Sequence, residues 1–295
     1  MGKASRQRTS RPTHTDVRPA PVPFVARPFQ GLPSETEWVA LRELLPAATA
    51  PVTLLDGGDP RTATVTTVLP LAWPALHRNG GDIFVATQSG ATSGDPSRDI
   101  AAALLLAVGA DEGTPVTEVP PSTADTPRLQ DLLDTSAPLK VTVHEGFDYW
   151  VGDTDLDEDG QASLEQANQS LIPTGRVTST APSATSVYWC VINDRSYVRW
   201  VLPYDEDTAT LALARLHAAD RDRLTPDTRL LGAFRAAGLL VPVWEVPRDA
   251  AATDFVGAVD ALAAVLQEAA ADTSPLDAQE RRARAGLLNR QVTLR

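Results

Sequence analysis

A single cysteine, Cys190, among 295 residues excludes an internal disulfide, so the fold does not depend on oxidation. Long apolar runs are missing as well. The most apolar stretch, residues 100–108, covers nine residues, and a membrane span needs about twenty. The basic N-terminus runs into prolines rather than an apolar segment, which argues against a secretory signal and for the cytoplasm. No G-x-x-x-x-G-K-S/T is present to cradle a nucleotide phosphate. G-x-S-x-G is absent too, because Gly90-Ala91-Thr92-Ser93-Gly94 places serine one position late for a nucleophile elbow. His14, His77, His144 and His217 are far apart, and none has a second ligand at metal spacing. No cofactor is expected.

What is present is charge, unevenly spread. The chain carries −12 overall. Residues 1–28 hold Lys3, Arg6, Arg8, Arg11, Arg18 and Arg27 against Asp16 alone. Residues 275–295 hold Arg281, Arg282, Arg284, Arg290 and Arg295 against Asp277 and Glu280. The body between is therefore more acidic than the whole. Such a body repels nucleic acid and anionic membranes, so only the ends can bind them.

Residues 1–28, with prolines at 12, 19, 21, 23 and 28, read as a disordered basic tail with little to bury. Order is expected from Phe29. Ser34 and Glu37 have capping-box spacing ahead of a helix striped by Trp38, Leu41 and Leu45. Strands are expected at 52–55, 62–69, 82–87 and 139–143. Asp95-Pro96 starts a buried helix that Gly109 ends. Thr126-Pro127 opens a shorter helix, and another spans about 163–171. Further on, 187–192 and 197–202 read as a hairpin around Asn193-Asp194. Asp205 caps a helix, Thr225-Pro226 opens one closed by Gly238, and 239–246 is a strand. Phe255, Val259, Leu262 and Leu266 stripe a long helix, and a basic helix ends the chain.

These elements predict an α+β protein of two tandem related units, each about β-β-α-α-β-α, with a mainly antiparallel sheet and helices on one face. The matching Asp-capped helices and Thr-Pro starts relate span 62–171 to span 185–271. The expected divisions are a disordered basic tail (1–28), a first unit (29–180), a second unit (181–272) and a basic C-terminal helix (273–295).

Pro28-Phe29-Gln30-Gly31-Leu32-Pro33 and the run Glu37-Trp38-Val39-Ala40-Leu41-Arg42-Glu43-Leu44-Leu45-Pro46 resemble the opening of an actinobacterial domain-of-unknown-function family. So do Tyr188-Trp189-Cys190, Arg199-Trp200-Val201-Leu202-Pro203 and Gly232-Ala233-Phe234-Arg235. The resemblance covers about residues 28–271. It implies a cytosolic protein with a basic tail and supplies no catalytic residues.

Asp155-x-Asp157-x-Asp159-Gly160 matches the first half of a calcium loop. The second half fails: Gln166 stands where the bidentate Glu belongs, and Glu165 is one residue early. The alternative is a solvated loop whose acids favour the next helix N-terminus. The Ser/Gly loop 88–94 joins strand to helix, where phosphates often sit, but Asp95 at the cap repels an anion. His144-Glu145 is a candidate acid/base pair. Cys190 reads as a buried structural thiol. Trp189 and Trp200 are placed for a cross-strand aromatic pair or a binding groove. Lys3, Arg6, Arg8 and Arg11 are the candidate contacts to nucleic acid or an acidic partner.

The expectation is a non-enzymatic binding or adaptor protein, with partners reached through residues 1–28. The alternative is a hydrolase or metal-dependent enzyme with a site between the units.

Overall fold

Helix α1 (Glu35–Glu43) lies between two β-sheets, and its composition suits that place. Thr36, Glu37, Trp38, Val39, Ala40 and Leu41 are all buried, so the helix has no broad solvent face. The computed structural model describes residues 22–289 apart from 56–57, 91–92 and 153–154.

The first sheet comprises β1 (Ala48–Leu54), β2 (Arg61–Thr66), β3 (Ala75–His77), β4 (Ile83–Ala86), β5 (Thr114–Val116) and β6 (Thr142–Val143). Their order is β5-β3-β4-β2-β1-β6, with β2 and β4 parallel. Alternation gives each strand two faces. Ala63, Val65, Ile83 and Val85 share a core with α1, α2 (Pro96–Gly109) and α3 (Leu129–Leu132). Phe84, Ala86 and Leu76 form a cluster on the opposite face with Leu69, Trp73 and Trp150. The exposed helix α4 (Glu158–Gln169) leads to the second sheet.

That sheet is antiparallel, ordered β10-β11-β9-β8-β7, from β7 (Thr174–Arg176), β8 (Val187–Ile192), β9 (Arg195–Trp200), β10 (Arg229–Ala236) and β11 (Leu239–Val246). One face packs Trp200, Trp244 and Val246 under α5 (Glu206–Ala218), α6 (Val256–Ala271) and α7 (Ala278–Asn289). The other sends Tyr188, Val241 and Leu239 into the core of the first sheet.

Several local expectations are met. Asp95 accepts from Ser97 N and starts α2, and Asp205 accepts from Thr208 N and starts α5. The hairpin turns at Asn193-Asp194, both with positive φ. Others are corrected. Thr225-Pro226 opens no helix: residues 229–236 are strand β10, ended by Ala237 (φ 44°) and Gly238 (φ 80°) in a two-residue turn. The capping box does not form. Ser34 sits at φ 56° with no side-chain cap bond, and Glu37 turns into the seam. Trp200 packs on Trp244, ring centroids 6.3 Å apart, while Trp189 stands opposite Val198. The helix after Thr126-Pro127 shrinks to Leu129–Leu132, and β6 keeps only two residues of 139–143.

The expected element order β-β-α-α-β-α appears in neither sheet. The segment 22–28, read as part of the tail, packs on the body. Val22 is buried, Val25 N donates to Gly94 O at 2.9 Å, and Arg27 forms a two-point ion pair with Glu35 at 2.8 and 2.6 Å.

Candidate functional site

The seam around α1 is polar, and its carboxylate, Glu37, is fully partnered, while Trp38 Nε1 and Arg199 Nε are buried without a hydrogen-bond partner. An ionised carboxylate offers about four acceptor sites, and Glu37 uses them all. Arg176 donates to it twice, at 2.7 and 2.9 Å. The Tyr188 hydroxyl donates at 2.6 Å, and Ser186 at 2.8 Å. Burial and the Glu37 charge push the Tyr188 phenol well above its ordinary value, so it stays a donor. At the other end of α1, Leu41 O accepts from Thr87 Oγ1 and Gln88 Nε2, Leu45 O from Gln88 Nε2, and Leu44 O from Arg199. These cap carbonyls that a helix C-terminus leaves open. At one edge the seam opens into a cleft of about 440 Å³ lined by Phe24, Arg42, Glu43, Glu206 and Arg235. There Arg235 is paired with Glu206 at 2.6 Å and Arg42 with Glu43 at 3.3 Å.

A second polar cluster lies on the opposite face of the first sheet, where the segment after β6 straps across the strands. His144 N donates to Ala47 O, and His144 Nε2 lies 2.8 Å from Thr49 Oγ1. Asn168 Oδ1 takes the Phe147 amide at 2.7 Å, and Phe147 stacks on Trp150 at 4.2 Å. The Tyr149 hydroxyl lies 3.1 Å from Thr66 Oγ1, and Trp150 Nε1 donates to Val68 O at 3.0 Å. Arg78 ties the strap down by donating to Tyr149 O at 3.1 Å while lying over the Phe84 ring.

Burial lowers the His144 pKa, opposed by the Asp148 charge. The imidazole is therefore neutral at pH 7 and able to accept a proton from a hydroxyl. Burial raises Tyr149 against hydrogen bonds from Thr66, Thr67 and Trp150.

His144 thus meets Thr49, and Glu145, its expected partner, is exposed. Asp155, Asp157 and Asp159 are exposed, with Asp157 capping α4 through Gly160 N at 2.8 Å. Among the described residues, no three His, Cys, Asp or Glu side chains group as a metal site would. Lys3, Arg6, Arg8 and Arg11 lie outside the described residues. Cys190 is fully buried, and burial raises its thiol pKa against the nearby Arg199, the reverse of what a nucleophile needs. At the end of the Ser/Gly loop, a Cβ on Gly94 would meet Phe24 Cα at 2.9 Å, and Asp95 is held by Arg128 at 2.9 Å and Arg98 at 3.4 Å.

Sequence reasoning missed Glu37 and Tyr149. Nothing near Glu37 in sequence signals Arg176, 139 positions away. The aromatic run 147–150 was the available signal for the strap.

The molecule is an α+β protein built on two sheets. Residues 28–295 match a family of unknown function, DUF5926, and the chain belongs to it. No curated protein matches the chain, and no solved structure does. No helix among the described residues is long and apolar enough to cross a membrane.

Proposed function

We propose that this is a non-enzymatic, cytoplasmic binding or adaptor protein whose basic ends engage a polyanion, either nucleic acid or an acidic protein surface. The observation that carries the reading is the orientation of α7. Leu287 is buried and Ala283 packs inward, while Arg281, Arg282 and Arg284 stand exposed on a chain of net charge −12. Cations displayed on an acidic body give attraction at one place and repulsion elsewhere, which orients a polyanion. Lys3, Arg6, Arg8 and Arg11 would add the phosphate contacts of a second end.

The test is filter binding of labelled single-stranded RNA and duplex DNA at about 50 mM salt, where phosphate contacts are strongest. The triple variant R281E/R282E/R284E is expected to bind at least tenfold more weakly than wild type. Retention of labelled polyglutamate with none of the RNA or DNA would assign the acidic protein instead. Equal binding by variant and wild type would remove α7 from the reading.

The hydrolase alternative has one observation in its favour. His144 Nε2 lies 2.8 Å from Thr49 Oγ1, and burial keeps the imidazole neutral, the pairing of a base with a hydroxyl. Hydrolysis of activated esters by wild type, lost in T49A and H144A, would establish it. No turnover above buffer would dispose of it.

A further inference from the structure

We infer that a gap in the first sheet beside Pro51 is a binding site for a free aliphatic α-amino acid of about leucine's size. The gap follows from the pairing of β1. At one end Ala48 and Thr49 pair with β6. At the other, Leu54 bridges to Leu133, and Asp134 N donates to Thr53 O at 2.8 Å. Ala47 O, Thr53 O and Leu55 N all bond towards this edge. Backbone groups alternate in direction along a strand, so Pro51 faces it too. Proline has no N–H to give a neighbouring strand, and pairing lapses there.

The chain between Asp134 and Val141 bows away from the strand and is held off it. Leu139 N donates to Ser34 Oγ at 3.2 Å rather than to β1, and Val141 O accepts from Arg176 at 3.3 Å. Ser34 holds Leu139 from left-handed backbone, φ 56°, without the cap its position offers. Such backbone is unfavourable for a residue with a Cβ, and it persists where the fold keeps a shape for use.

What results is a cavity of about 220 Å³. Leu32, Trp38, Leu133 and Leu139 give it apolar walls. Trp38 is 1% exposed, and its Nε1 is buried with no hydrogen-bond partner. A buried donor in that state calls for an acceptor from outside the chain. Two lining residues are charged, Asp134 and Lys140, and they differ in sign. Lys140 is exposed and forms no ion pair among the described residues. Asp134 accepts from Ser136 N at 2.9 Å, and its bonds to Ser136 hold it below the usual carboxylate range, so it stays an anion. A carboxylate has more acceptor sites than that turn uses.

The occupant must match this set: an apolar body, a negative group for Lys140, a positive group for Asp134 and an acceptor for the indole. A cavity of about 150 Å³ takes a benzene ring, so one of about 220 Å³ takes on the order of nine non-hydrogen atoms. Leucine and isoleucine are of that size and are zwitterions at neutral pH. A fatty acid or an alkylamine answers one of the two charges, and a dipeptide is too large. This site is separate from the cations of α7 and does not depend on polyanion binding.

The test is isothermal titration of the full chain with L-leucine, isocaproate and isoamylamine, the last two each lacking one charge. Leucine is expected to bind at least about tenfold more tightly than either. The informative variants are K140M and D134N, both on the loop that leaves β1, where asparagine keeps an acceptor for Ser136 N. K140M is expected to weaken leucine at least about tenfold and to leave isoamylamine unchanged. D134N is expected to weaken leucine as much and to leave isocaproate unchanged. No binding of leucine at millimolar concentration would overturn the inference. So would leucine affinity unchanged in either variant, or isocaproate binding as tightly as leucine, which would make the ligand a simple carboxylate.

Discussion

At the scale of the residue, Glu37 is the position where sequence and structure diverge most usefully. Ser34 and Glu37 have the spacing of a reciprocal cap, and local reasoning stops there. Burial decides otherwise: the Glu37 side chain is 4% exposed and holds Arg176, itself 26% exposed. Breaking such a pair leaves a largely desolvated cation alone. We expect E37A to lose about 3 kcal/mol in urea denaturation, and Y188F about 1.5 kcal/mol for one hydrogen bond to a charged acceptor. A Y188F protein as stable as wild type would mean that the 2.6 Å bond is not formed. His144 gives a pH signature. Its folded pKa lies below the ordinary 6.5 because burial disfavours the cation, so the unfolded chain takes the proton first. The stability it permits is therefore whole above pH 6.5 and is lost as pH falls through the lowered folded value. The melting temperature of wild type should drop over that range more steeply than that of H144Q.

At the scale of the element, strands with clean alternation were legible and the one with helix-forming residues was not. Val187–Ile192, Arg195–Trp200 and Leu239–Val246 are β-branched and aromatic, and all three are strands. Arg-Leu-Leu-Gly-Ala-Phe-Arg-Ala has the composition of a helix, yet it is β10 because β11 offers its edge and α7 its cover. Tertiary pairing overrides propensity here. The turn between them is the decisive local feature. A Cβ on Gly238 would run into the Ala26 carbonyl, at φ 80°, so G238A should cost about 2 kcal/mol or more. Ala237, at φ 44°, is strained in the opposite sense. A237G is expected to be neutral or to stabilise by up to about 1 kcal/mol. Thermal unfolding of the two variants reads both effects, and a G238A protein with unchanged melting would contradict the turn geometry. The Asp-capped helices α2 and α5, each following an antiparallel strand pair, are the part of the expected resemblance between halves that the structure carries. The strand orders around them differ.

At the scale of the whole molecule, the order of expected helices and strands pointed to the α+β class and the charge layout to basic ends, and both were silent on how the parts meet. Residues from both sheets enter one core around α1, and no local pattern announces a helix clasped on both sides beyond its nearly uniform apolar content. Glu37, Arg176, Tyr188 and Ser186 satisfy one another in that seam, while Trp38 Nε1 and Arg199 Nε are buried there without a hydrogen-bond partner; the exposed cations of α7 are the surface feature that the proposed function uses. The central claim is that basic ends bind a polyanion. Its most direct measurement is the salt dependence of single-stranded RNA affinity, by fluorescence anisotropy, for the full chain and for a form lacking residues 1–21. Each phosphate neutralised contributes about 0.7 to the slope of log K against log salt for a single strand. The account predicts a steep slope for the full chain that flattens by about 3.5 when Lys3, Arg6, Arg8, Arg11 and Arg18 are removed together. Identical slopes for the two forms, or no binding by either at low salt, would contradict it.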